Sequence, residues 1–189
     1  MKISEMFSKL ESSKEFKSFK KQNPHAYFCA AFFVFDYEAK EMKKQLDYYV
    51  SENEIITFSL DDKILQQEAK MPESEKLKEI KKDEIKIDLD EVLEKVKKEA
   101  EKLKFKPSKT IVILQRLKET EELIWNITSL SGFSILRMHV SMKGEFLLNQ
   151  KSSMMDMMKI QRNEKSSGSS CSGSEKETES HTDSANYVG

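Results

Sequence analysis

Glycine is scarce: the 189 residues hold five, Gly132, Gly144, Gly168, Gly173 and Gly189. None belongs to a Gly-rich loop of the kind whose backbone cradles phosphates, which disfavours the usual nucleotide-binding enzymes. Cysteine is scarcer still. Cys29 in an apolar run and Cys171 in a Ser/Gly-rich stretch give no disulfide framework and no metal-ligand spacing, as expected of a reducing compartment. Net charge is almost absent, with 32 Lys+Arg against 33 Asp+Glu, so no global field draws nucleic acid or an anionic membrane and a partner must be recognised locally. Long hydrophobic runs are missing too. No stretch is long enough to span a membrane, and Met1 to Lys21 is studded with Lys and Glu where a signal peptide has an unbroken apolar core. The expectation is a cytoplasmic protein with no transmembrane segment.

What is present is a globular composition, 38% hydrophobic and 34% charged, enough for one or two small domains with a modest core. The clearest stretch runs from Asp88 to Leu148. Asp88 and Glu91 have capping-box spacing. Leu89, Val92, Leu93, Val96, Ala100 and Leu103 then form one stripe at helical period, and Pro107 closes the helix. After Ser108 the period becomes two: Thr110 to Leu117 is rich in β-branched residues, and Leu123, Trp125 and Ile127 alternate with Ile124, Asn126 and Thr128. Ser131-Gly132 turns the chain into Phe133 to Met142, and Lys143-Gly144 turns it again before Glu145-Phe146-Leu147.

Trp125-Asn126-Ile127, Val140-Ser141-Met142 and Lys143-Gly144-Glu145-Phe146 together resemble the PepSY domain, which ends in a Trp-x-hydrophobic strand and a strand closing on Lys-Gly-Glu-hydrophobic. The resemblance covers about a third of the chain. Ser141 stands where that family commonly has Asp. The resemblance implies an α+β fold and a non-enzymatic protein- or peptide-binding module that modulates a partner such as a peptidase.

Upstream the same order recurs. Ile3, Met6, Phe7 and Leu10 share a helical stripe, and Ser12 to Glu15 restarts a helix carrying Phe16 and Phe19. Asn23-Pro24 ends it. Ala26 to Tyr37 is the most apolar run, with Tyr27, Cys29, Ala31, Phe33 and Phe35 on one face and Phe28, Ala30, Phe32 and Val34 on the other. This pattern predicts a strand covered on both faces, one by Phe16 and Phe19, the other by the second half of the chain, a homodimer partner or another protein. A polar turn at Glu38 to Lys44 leads to strands Gln45 to Ser51 and Ile55 to Leu60.

The expected fold is therefore α+β: two αβββ units, each a helix on an antiparallel sheet, followed by a disordered tail. The units span 1–64 and 88–149. A charged linker, 65–87, carries a solvated helical turn around Leu77 and Ile80, and a Met-containing segment and tail occupy 150–189.

No assembled catalytic, cofactor or metal site is expected. His139 lies in a strand between Arg137 and Ser141, on a solvated face; His25 is beside Pro24 and His181 is near the end. Cys29 reads as a small core hydrophobe with nothing cationic nearby in sequence to activate it. Trp125 reads as core. Met154, Met155, Met157 and Met158 have thioether spacing that could hold Cu(I), though adaptable methionines more often tack a short helix onto a surface. Aromatics mixed with lysines between Lys14 and Lys21 leave nucleic-acid binding as an alternative, the stripe of Ile3, Met6, Phe7 and Leu10 leaves membrane-surface binding as another, and an enzyme with an unrecognised site is a third.

Overall fold

The computed structural model describes residues 2–52, 54–61, 63–70 and 77–153. It is α+β, with three helices, α1 (Ile3–Ser12), α2 (Lys14–Gln22) and α3 (Leu89–Lys102), and eight strands. The strands are β1 (Tyr27–Asp36), β2 (Glu41–Ser51), β3 (Glu54–Leu60), β4 (Ile64–Lys70), β5 (Lys109–Arg116), β6 (Leu123–Ser131), β7 (Ser134–Ser141) and β8 (Phe146–Ser153). They make one sheet in the order β4-β3-β2-β1-β5-β6-β7-β8, with every neighbouring pair antiparallel.

Among the described residues each half of the chain contributes four consecutive strands, not the expected three. Ile64–Lys70, assigned in sequence to the linker, pairs with β3 as an edge strand. β8 runs on to Ser153, past the expected boundary at 149. The two halves meet strand to strand, because Ala31–Asp36 of β1 pairs with Lys109–Leu114 of β5 at the centre of the sheet.

The helices lie on one face, here the inner face. Ser13 separates α1 from α2 and caps the latter, its hydroxyl accepting from the Phe16 N–H. Phe16 and Phe19 then pack against Tyr48 and Phe58, ring centroids 5.1–5.9 Å apart, so they cover β2 and β3, not β1 as expected. β1 is met instead by Phe7, edge-on to Phe28 at 4.9 Å. Each such aromatic pair adds about 0.5–1.5 kcal/mol beyond area burial. In the other half, Leu89, Val92, Val96 and Ala100 of α3 are buried with Trp125, Ile127 and Met138 in the same core.

The stretch 77–87 keeps its charged side chains in solvent but is anchored to the fold by the buried Ile80 and Ile87. Beyond Ala31 and Leu114 the β1–β5 pairing ends, and the Ile80 N–H donates to the Phe28 carbonyl at 2.8 Å, placing a buried Ile80 beside the end of β1. A short 3-10 turn, Lys82–Glu84, follows in place of the helical turn expected around Leu77. Arg116 fastens this segment: its Nε donates to the Glu79 carbonyl (3.1 Å) and its Nη2 reaches both Glu84 carboxylate oxygens at 2.7 Å.

Candidate functional site

β1 carries a bulge between Phe28 and Ala30, and the extra residue reverses the alternation expected for its first half. Phe28 therefore shares the inner face with Ala31, Phe33 and Phe35. Ala30, Phe32 and Val34 point the other way. Phe33 is fully buried, 6.2 Å from Trp125, whereas Phe32 is half-buried. Cross-strand pairing places Ile113 beside Phe32 and Ile111 beside Val34, and Lys43 and Gln45 of β2 flank them on the other side. This outer face has an apolar belt at its centre with polar residues outside it, including Thr57, Asn126, Thr128 and Arg137. Among the described residues no helix covers it, so of the expected covers for this face of β1 a helix of the described second half is not the one found. At one end the face is bordered by Leu77, whose carbonyl accepts from the Tyr27 hydroxyl at 2.7 Å, and by the loop after β5.

The titratable groups on this face do not converge on one point. Asp47 is half-buried on β2 and accepts from Thr57 Oγ1 at 2.7 Å; burial raises its carboxyl above the usual range and the hydroxyl partly offsets this. Cys29 is buried, its thiol donating to the Asp47 carbonyl at 3.3 Å, and burial pushes it up to about 12, so it is no thiolate nucleophile. His139 stands opposite Asn126 and Leu148, with its pKa lowered by burial. His25 is exposed in the turn before β1. Among the described residues no group of three His, Cys, Asp or Glu side chains is placed to hold a metal. His181, Cys171 and Met154–Met158 lie outside the described residues.

The residues carrying the PepSY resemblance form one local structure. Trp125 is buried on the inner face and donates from its indole Nε1 to the Ile87 carbonyl at 3.1 Å, tying β6 to the approach into α3. Ser141 is buried at the end of β7, and its hydroxyl accepts from the N–H groups of Lys143 and Glu145, both at 3.2 Å. It supplies the turn-capping acceptor that an aspartate would offer at the same place. Gly144 follows at φ +80°, a conformation that side chains resist.

A second concave feature lies on the inner face. The α3 side chains Leu93, Val96 and Ala100 form one wall of a groove of about 750 Å³. Phe35 and Thr110 lie on its sheet side, and Phe105 and Pro107 complete its lining. Tyr37, 48% exposed, stands at the same end. The sequence pattern shows α3's stripe but not this groove, since the groove also needs Phe35 of β1 and Thr110 of β5, which only the non-local β1–β5 pairing brings beside α3.

No family model matches the chain, and no curated protein matches it. Among solved structures the chain is similar to a candidate lipoprotein from Clostridium difficile 630, with 12% identity and a TM-score of 0.49 over 73% of this chain and 90% of that one.

Proposed function

We propose that the protein is a non-enzymatic binding module of two PepSY-like helix-and-sheet units joined edge to edge, and that the outer face of the sheet takes a protein or peptide partner in the cytoplasm. One observation supports this most. The belt of Ala30, Phe32, Val34, Ile111 and Ile113 lies at the middle of a broad sheet with no helix of the described residues over it. Contiguous apolar surface rimmed by polar residues marks interaction sites, and each fully buried Phe or Ile stabilises an association by about 1.5–3 kcal/mol. The similar order of the halves, two short helices in one and a single helix in the other, each followed by four antiparallel strands, supports the two-unit reading.

A photo-crosslinking residue in place of Phe32 tests this, with the same residue in place of the exposed Lys98 on α3 as control. A single dominant protein adduct at position 32, weak or missing at position 98, is the expected result. Equal labelling from both positions would remove the outer face from consideration.

A further inference from the structure

The groove beside α3 is chemically unlike the outer face. Its lining is almost wholly hydrocarbon, and Thr110, the polar group at its base, is already satisfied by Ser129, their hydroxyls 2.9 Å apart. β1 and β5 are paired on both sides along this stretch, so neither offers free backbone groups. An extended peptide laid here would leave its amides without partners, at about 1–3 kcal/mol for each buried one. A hydrocarbon chain has no such cost. The volume, about 750 Å³, lies within the range of about 300–1,000 Å³ typical of small-molecule sites.

Polarity is confined to the rim and is uneven. Glu94, Lys97 and Glu101 lie along α3, whereas past its end, on either side of Phe105, the charged lining residues Lys104 and Lys106 are both lysines. Among the described residues none of the three lysines makes an ion pair. Lys104 has φ +49° just past the end of α3, and the Phe105 N–H donates to the Ala100 carbonyl at 2.8 Å, so the turn that displays Lys104 and Lys106 is fixed by backbone geometry.

The geometry points to a fatty-acid site: a single hydrocarbon chain lies along Leu93, Val96 and Ala100, with its carboxylate held by Lys104 and Lys106. The carboxylate stays at the wet rim, where charge-assisted hydrogen bonds form without burying an ion. This site is separate from the outer face and does not depend on it.

Titration calorimetry of the full chain with laurate, below its micellar concentration, tests the proposal against dodecanol as the neutral analogue. Laurate is expected to bind with a negative heat-capacity change and at least tenfold more tightly than dodecanol, with the difference shrinking as salt rises. Lys104→Glu combined with Lys106→Glu, both exposed, should weaken laurate at least tenfold and leave dodecanol unchanged. Leu93→Trp, which fills the groove, should abolish both while the melting curve stays cooperative. The proposal is overturned if laurate does not bind, if dodecanol binds equally well, or if laurate affinity survives the charge reversal or the folded Leu93→Trp variant.

Discussion

The Ile3 N–H donates to Asp88 Oδ1 at 2.8 Å, and the same oxygen accepts from the Leu89 N–H at 2.8 Å. One carboxylate thus serves the first turns of two helices 85 residues apart in sequence, and the expected capping-box partnership with Glu91 is replaced by this shared cap. A negative group at two helix N-termini also opposes both positive dipole ends. Because capping residues are worth about 0.5–2 kcal/mol each, Asp88→Ala should cost about 1–3 kcal/mol in urea unfolding. Asp88→Asn, which keeps an acceptor oxygen, should cost clearly less. If Ala and Asn cost the same, the carboxylate oxygen is not holding both helices.

Gly144 and Gly132 both have positive φ but differ in their surroundings. A Cβ on Gly144 would come within 3.0 Å of the Lys95 side chain and 3.1 Å of Ile87, whereas one on Gly132 meets nothing within 4 Å. Both alanine variants incur the left-handed penalty of about 1–2 kcal/mol. Only Gly144→Ala adds a clash beside the Trp125–Ile87 hydrogen bond, so thermal denaturation should rank it as the more damaging. Equal melting temperatures would show that Lys95 and Ile87 shift aside freely.

Trp125→Phe isolates that hydrogen bond. The ring remains apolar, but the Ile87 carbonyl loses its buried donor, and an unmade buried hydrogen bond costs about 1–3 kcal/mol. The smaller ring adds a cavity beside Phe33. Chemical unfolding should therefore show a loss of at least about 2 kcal/mol, with no change in the far-ultraviolet spectrum of the folded state.

Acid and base responses should separate two carboxylates. Glu84, paired with Arg116, is held below the usual range, so its contribution is present above the unfolded carboxylate value and is lost as pH falls through the folded one. Asp47 has the opposite sign. Burial raises it, the native state keeps its proton longer than the unfolded state, and stability declines as pH rises from the ordinary carboxylate range through the raised value. Asp47→Asn should therefore be more stable than wild type near neutral pH, with the advantage vanishing in strong acid. An advantage independent of pH would mean that Asp47 is not titrating abnormally.

The elements that could be read in sequence are those whose side chains carry a period. α3 declared itself through Leu89, Val92, Val96 and Ala100, and β5 to β7 through alternation and the turns at Gly132 and Gly144. β4 carried no such mark: Ile64, Gln66 and Glu68 face inward at the sheet edge, where polar residues can reach solvent, so alternation disappears. The start of β2 was hidden likewise, since Glu41, Lys43 and Lys44 are charged and leave only Met42 apolar, yet the stretch pairs with Asp36 to Phe33. The bulge at Cys29 is a single-residue register event without a sequence signal. The β1–β5 pairing joins residues some 80 apart, and local patterning holds no information about it. The groove and the outer face, over which no helix of the described residues lies, both follow from these non-local facts.

Phe32 and Phe33 are adjacent in β1 and point to opposite faces, which makes them the sharpest test of the fold and of the outer face together. Phe33 is fully buried between the sheet and the helices, and Phe32 is half-buried with no helix of the described residues above it. A carboxylate at position 33 would have to be desolvated in the core, so Phe33→Asp should unfold the protein or cost more than about 4 kcal/mol. At position 32 the same charge can reach water, and the loss reduces to part of the apolar contact with Ile113, about 1–2 kcal/mol. Sedimentation velocity on wild type and Phe32→Asp then reports what the outer face does. If the belt mediates self-association, wild type should sediment as a dimer and the variant as a folded monomer. If the partner is a different protein, both should sediment as monomers, and only the crosslinking from position 32 should separate the outer face from α3. A variant at position 32 as unstable as that at position 33 would show that the outer face is covered after all.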